Sequence, residues 1–452
     1  MIAFVVIKYV SLGMNAVRSL VLAALLGPES YGFLGTLVIV QQYLSYAAFG
    51  MREGITMQLT RATTGHSRAV LCASALAWGF GVGCVVILAL SILVQLNNLR
   101  VEWYWVGVIS MLSISNEILI NMYRDEGRLK HVAILEVVYN SAPLACVIWF
   151  GHEVTVGLVL QSLAAGVAFS ALAFIWGLNY RRIQYVEFKA IRSLLRVGIP
   201  LAISGFFSAS LTSIYVLLAN SLQLGREVGL IAFANSVCSI VLYGLNVVAW
   251  AGTSKSMRLL ADDGRIRDGV LSNLRLTYFF RVAILASVLV IALSGPLVTR
   301  LMPAYAGMER YATLFCLLQA TPLMLYVEQN YLAVCGRSAT VAAGYATILT
   351  VVLSMSKLLS SIEIDMLISL GVVLTSIAGV LCAAYCHRLG LVSASLRSNY
   401  FFLAFPIIGV LALHTAGTSA VGWVASIFLV RALFTSRSLI TRDSLLILLK
   451  RN

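Results

Sequence analysis

The chain has 452 residues, of which 60% are apolar and only 11% charged, with a mean hydropathy of +0.93. A soluble domain carries roughly 45–50% apolar and about 25% charged residues, so a water-soluble globule is excluded. The net charge of +14 reads as the Lys and Arg that collect in cytoplasmic loops. It does not read as a nucleic-acid footprint, because no basic stripe is interleaved with aromatics.

In chain order, runs apolar enough to cross a bilayer as helices fall at 9–26, 32–50, 69–95, 103–122, 132–150, 154–178 and 197–220. They continue at 229–251, 276–299, 311–334, 339–356, 364–386, 400–415 and 419–435. The expected fold is therefore an all-α polytopic membrane protein of about fourteen spans of ~21 residues each, with no room for a soluble domain. An even count places both ends on one side. With that side cytoplasmic, twenty-five of the 32 Lys and Arg residues fall in inside segments and five outside, the bias expected of cytoplasmic termini. No small-residue cleavage site follows the first run, so it is expected to stay as an anchor. The largest polar segments, 179–196 and 252–275, are expected as cytoplasmic loops. The tail 436–452 mixes Leu439, Ile440, Leu445, Leu446 and Leu449 with cations, and reads as an interfacial helix.

The eight cysteines lie in or beside apolar runs without the spacing of a disulfide framework or zinc site. Cys382, Cys386 and His387 share a helix face, which leaves a metal site or simple packing open. There is no GxxxxGK[ST], HExxH or GxSxG motif. No cofactor is expected, and transport work would draw on an H⁺ or Na⁺ gradient or on the substrate's own gradient.

The chain repeats itself. Asn121, Gly127, Arg128, Val132 and Ala133 recur 209 positions later as Asn330, Gly336, Arg337, Val341 and Ala342. Leu26-Gly27-Pro28-Glu29-Ser30-Tyr31-Gly32 is echoed by Leu224-Gly225-Arg226-Glu227-Val228-Gly229. Both pairs fall at equivalent points of two six-span halves, an arrangement typical of transporters with the substrate path between the halves. The expected organisation is a lobe at 1–190, a second at 191–390, and two extra spans with the tail at 391–452.

Polar stripes at helical spacing mark spans that face water or protein. The first span carries Lys8, Ser11, Asn15 and Arg18; the second Gln41, Gln42, Ser45 and Tyr46; the fourth Ser113, Glu117, Asn121 and Arg124. The seventh carries Ser204, Ser208, Thr212 and Tyr215; the eighth Asn235, Ser239, Tyr243 and Asn246; the tenth Gln319, Tyr326, Glu328, Gln329 and Asn330. Hydroxyls and amides also serve as helix-helix glue. An Arg at mid-span costs at least ~2.5–3.5 kcal/mol, so Arg18 faces either a structural partner such as Glu117 or a wet cavity with an anionic ligand. Arg52, Glu53 and Arg281 either line that cavity or snorkel to the inner interface. Glu328 is a proton or cation site, or pairs with an Arg; Arg124-Asp125-Glu126 reads as a solvated loop. Pro143, Pro200, Pro296, Pro322 and Pro406 weaken their helices.

The stretch Arg18 to Phe33, with its LGPExYG motif, resembles the opening of polysaccharide-exporter flippases. These are the Wzx-type O-antigen translocases of the multidrug/oligosaccharidyl-lipid/polysaccharide (MOP) superfamily. Leu224 to Gly229, Gly127-Arg128-Leu129-Lys130, and Gly295-Pro296-Leu297 with Met302-Pro303-Ala304-Tyr305 resemble further stretches of that family. The resemblance implies a two-lobed, MATE-like bundle with a cavity lined mainly by spans 1, 2, 7 and 8. It implies a bacterial inner-membrane flippase moving undecaprenyl-diphosphate-linked oligosaccharide, of O-antigen or capsule type, to the periplasmic leaflet by alternating access. Arg18 would meet the diphosphate; Asn15, Gln41, Gln42, Arg52, Glu117, Ser208, Thr212, Asn235, Asn246, Arg281 and Glu328 complete the cavity candidates. Implied partners are the lipid-linked oligosaccharide, membrane lipids, and the polysaccharide polymerase and chain-length regulator. The rivals are a drug or cation antiporter of the same superfamily, and a membrane glycan polymerase or glycosyltransferase.

Overall fold

The computed structural model describes residues 2–59, 65–177, 185–261, 266–358, 363–389 and 396–436. Among these, every regular element is helical: α1 (Ile2–Ser45), α2 (Met51–Leu59), α3 (Gly65–Leu96), α4 (Glu102–Asp125), α5 (Leu129–Phe150), α6 (Val156–Gly177), α7 (Phe188–Ser221) and α8 (Arg226–Ala261). There follow α9 (Ile266–Leu301), α10 (Met308–Met324), α11 (Tyr326–Val334), α12 (Ser338–Leu358), α13 (Ile364–Arg388), α14 (Leu396–Ala416) and α15 (Thr418–Ser436). Helix is the form that satisfies every backbone polar group within one segment, which hydrocarbon demands. Nine of the described helices are long and apolar enough to cross a membrane, and α14 and α15 contribute two shorter apolar ones. Large apolar side chains such as Ile148, Trp149, Trp176 and Trp423 are left uncovered by protein, as lipid-facing residues are. The chain is a multi-pass membrane protein.

Several boundaries differ from the sequence expectation. The first two spans are one run of helix broken only at Gly27, whose φ of 69° and ψ of 170° are non-helical, with Pro28 next. Gly takes that conformation without a Cβ penalty, and Pro cannot continue the incoming helix. The tenth span is interrupted at Leu325 (φ −99°, ψ 17°), one turn after Pro322, so it forms α10 and α11. Of the expected loop 252–275, residues 252–261 continue α8 and 266–275 begin α9. Lys189, Arg192 and Arg196, expected in a loop, lie on α7. The interfacial tail falls, beyond Ser436, outside the described residues.

The chain divides into two compact units, Met1–Phe206 and Phe207–Asn452. In the first, α4 is central and packs on α1, α3 and α6, while α5 packs on α1 and α6. Its core includes Met51, Ile55, Ile118, Tyr123 and Phe174. In the second, α10 packs on α8, α9, α13 and α14, and α15 lies along α9. Phe401 stacks on Phe428 with centroids 4.4 Å apart.

Candidate functional site

In the first unit the polar stripe of α1 meets a stripe on α5. Lys8, 5% exposed, pairs with Glu136. One turn on, Asn140 donates from Nδ2 to Ser11 Oγ (2.9 Å) and accepts from Arg18 Nη1 at 3.4 Å. Glu136 and Asn140, four apart, share a helix face. The sequence reading missed both, although a carboxylate and an amide at i, i+4 inside an apolar run are the signal. Arg18 is half-buried. Its contact is Asn140, not Glu117 as the structural-pair alternative had it, and among the described residues no carboxylate pairs with it. Asn15 stands on the same stripe with its Oδ1 buried and without a hydrogen-bond partner.

Glu117 belongs instead to Arg52. Arg52 Nη1 lies 3.0 Å from Glu117 Oε2, and its Nη2 lies 2.7 Å from Glu53 Oε1. The side chains are thus engaged with one another. Arg124, read as part of a solvated loop, donates from Nη2 to Thr56 Oγ1 (2.9 Å), and Thr56 donates to the Arg52 carbonyl (2.9 Å). Arg52, Glu53 and Glu117 line a crevice that also touches Tyr46 and Gly50, with about 10 Å³ of free space, roughly that of one water. Gln41 donates to Ser113 Oγ (3.3 Å), while Gln42 is exposed.

What aims Arg52 is a left-handed turn at Phe49 (φ 51°) and Gly50 (φ 81°). Beyond it, Gly50 and Gly54 let α2 lie directly on the backbone of α7. A Cβ on Gly198 would fall 2.7 Å from the Gly50 carbonyl carbon and 2.8 Å from the Gly54 nitrogen. Gly50-x-x-x-Gly54 is the small-residue spacing that permits such contact, and it too was legible but unread.

In the second unit Arg281 is 2% exposed and Glu328 fully buried. The two feel each other's charge, which fits the Arg-partner alternative for Glu328. Arg281 also lies over Phe402 (4.9 Å) and Tyr278 (5.5 Å), cation–π contacts that soften its burial. Neither carboxylate oxygen of Glu328 has a hydrogen-bond partner among the described residues. The thiol of Cys386 points at the Glu328 carbonyl (3.7 Å), while His387 is exposed. Ser208 stands beside the Tyr345 hydroxyl, which accepts from Gln329 Nε2 (2.7 Å). Thr212 bonds back to the Ala209 carbonyl (3.1 Å). Asn235 keeps a buried, unpartnered Oδ1, and the side chain of Asn246 lies outside the described residues.

No protein-family model matches the chain, and no curated protein matches it by sequence. Solved structures do match. An inward-facing multidrug resistance MATE family transporter of the MOP superfamily aligns with a TM-score of 0.65 and 14% identity, over 86% of this chain and 100% of its own. A MATE in complex with MaL6 aligns at 0.66 and 12%, over 88% and 95%. The lipid II flippase MurJ, inward closed, aligns at 0.60 and 12%, over 98% of this chain and 100% of its own. The chain therefore has the helical fold shared by these MATE and MurJ transporters.

Proposed function

We propose that this protein is a flippase that carries undecaprenyl-diphosphate-linked oligosaccharide from the cytoplasmic to the periplasmic leaflet by alternating access, without ATP. The observation that carries the reading is Arg18. It is a half-buried cation within a membrane-crossing helix, held only by a 3.4 Å contact to Asn140 and offset by no carboxylate among the described residues. Such a cation is costly in a membrane, and a diphosphate that accepts its planar fork offsets that cost. Coverage supports the same reading. The lipid II flippase aligns over about a tenth more of the chain than the MATE structures do, a margin the size of α14 and α15 together (21 and 19 residues).

In this proposal fourteen spans arise when α1 is taken as two arms and α8, α10–α11, α14 and α15 join the other eight helices long enough to cross. They form lobes at 1–190 and 191–390 and an added pair at 391–452. The membrane is the bacterial inner membrane, with both termini cytoplasmic, an H⁺ or Na⁺ gradient as the coupling source, and the polymerase and chain-length regulator as partners.

The test is to remove the protein from its host, extract the lipids, identify them by mass, and probe sidedness with an enzyme confined to the periplasm. Single repeat units trapped on the cytoplasmic face are expected, with Arg18→Ala unable to relieve the block although it inserts normally. Near-normal transport by Arg18→Ala sinks the assignment. The antiporter reading draws on Glu328, whose unbonded carboxylate could take a proton; drug or cation efflux that needs Glu328, with an unchanged lipid pool, would favour it.

A further inference from the structure

The turn after α4 and the turn after α11 are one turn made twice. Gly127 and Gly336 both adopt left-handed φ, 74° and 70°. The Arg128 N–H donates to the Tyr123 carbonyl (2.9 Å) and the Arg337 N–H to that of Leu332 (2.7 Å). His131 and Thr340 then donate to the Arg128 and Arg337 carbonyls at 3.1 and 3.0 Å. On this common frame, three of the matched positions that differ bear on the space beneath the turn and the charge beside it. Tyr123, 2% exposed, fills the inside of the first turn; its counterpart is Leu332. Leu135 packs on the same core; its counterpart is Gly344, where an added Cβ would meet nothing within 4 Å. Glu126 lies 3.6 Å from Arg128; its counterpart is Cys335. The first two changes remove bulk and the third removes a negative charge.

The second unit accordingly has a groove of about 290 Å³ at this place, with walls that include Leu325, Leu332, Val341, Gly344, Leu381 and Tyr385. Arg337, exposed, lies against the wall residue Tyr385, 5.7 Å over its ring and donating to its hydroxyl. Arg388 follows Tyr385 by one turn of α13, so the stripe of Leu381, Cys382 and Tyr385 leads from the groove wall to a second exposed cation. Tyr331 donates to the Leu389 carbonyl (2.9 Å), fixing that end of α13 to α11. Among the described residues neither Arg337 nor Arg388 has a carboxylate partner.

We propose that this groove holds one acyl chain of an anionic bilayer phospholipid, with Arg337 and Arg388 on its phosphate. A half-open apolar groove on membrane-crossing helices meets hydrocarbon, and two cations beside it select a negative headgroup. The helix end that carries the site is also the end that gathers cations, where the sequence places the cytoplasmic leaflet.

The test uses the full chain, purified, with phosphatidylglycerol and phosphatidylcholine of identical tails, and counts bound lipid by native mass spectrometry. The wild type should prefer phosphatidylglycerol. Arg337→Gln with Arg388→Gln should weaken phosphatidylglycerol about 10- to 30-fold and phosphatidylcholine much less, so that the preference between them is lost. Gly344→Leu, which installs the N-terminal half's residue in open space, should weaken both lipids. Equal binding of the two lipids by the wild type overturns the proposal. So does unchanged phosphatidylglycerol binding in either variant. Displacement by millimolar inorganic phosphate would assign the cations to a free anion, and tighter retention of a polyisoprenyl phosphate would assign the groove to the transported lipid; both also overturn it. The two Arg positions are exposed, so their variant reads out even where Gly344→Leu folds poorly.

Discussion

Gly198→Ala tests whether the embedded charge network depends on the backbone contact beneath it. The added Cβ would lie 2.7 Å from the Gly50 carbonyl carbon and 2.8 Å from the Gly54 nitrogen. The Gly50 carbonyl oxygen stands closer still, and ordinary contacts lie at roughly 3.5–4.0 Å, so α2 must retreat by more than about 1 Å. Both obstacles are backbone atoms, and no side-chain rotation relieves them. Arg52 sits between the two glycines, with Nη1 3.0 Å from Glu117 Oε2. A retreat of that size stretches the pair to ~4 Å, beyond hydrogen bonding. Overpacking alone costs about 1–3 kcal/mol, and the lost charge-assisted bond adds about 1.5–3 kcal/mol. The expected outcome is an apparent melting temperature several degrees lower and, on the proposed function, reduced transport. Gly81→Ala is the control, since its Cβ meets nothing within 4 Å, and it should be neutral or slightly stabilising. A Gly198→Ala protein with wild-type melting and wild-type transport would refute the reasoning.

Three further outcomes follow from the same contacts. Arg281→Met should destabilise by about 3–5 kcal/mol because it strands the buried Glu328, and Arg281→Met with Glu328→Gln should recover more than half of that loss in a double-mutant cycle; additive losses would mean the two charges do not act as a pair. Arg18→Lys should keep folding but lower transport at least tenfold, since an ammonium lacks the fork that grips a diphosphate; full activity would show that charge alone suffices. Tyr345→Phe should cost about 1–3 kcal/mol in thermal stability by leaving Gln329 Nε2 without its acceptor, and an unchanged melting temperature would place water in that role.

Much of the fold was legible because hydrocarbon leaves the chain few choices. Apolar runs of span length became helices, Gly27 broke α1 where the LGPExYG motif lies, and the repeated Gly127 and Gly336 became matching turns. Helix ends were less legible: α8 and α9 run on through 252–261 and 266–275, where polar residues lower hydropathy without ending a helix. In the candidate site, charge flagged Arg52, Glu117, Arg281 and Glu328, because any ion at depth needs a reason. Partnership is a tertiary matter and did not follow: the sequence reading offered Arg18 as a partner for Glu117, and the structure gives Glu117 to Arg52. The glycine contact was harder still to see, since Gly50, Gly54 and Gly198 act by lacking a side chain. The same holds for Gly344, whose meaning appears only when Leu135 is set beside it through the repeat.

On the proposed function, the embedded charges bear on which substrate the protein would carry. In the first unit Lys8 is offset by Glu136, and Arg52 with Arg124 is offset by Glu53 and Glu117. In the second, Arg281 and Glu328 are both buried and feel each other's charge. After these cancellations the described part of α1 still carries Arg18, half-buried within the helix, and the exposed Glu29 beside the break at Gly27. A helix that keeps one uncompensated cation at depth favours an anionic visitor and repels a cationic one. An antiporter for cations would gain from the opposite balance, a carboxylate left over, and Glu328 could supply one only by escaping Arg281. The Arg281→Met variant makes that escape. On the flippase reading it lowers stability and creates no new efflux, whereas cation or drug efflux appearing in that variant would show that the neutralised pair, and not Arg18, decides what this protein moves.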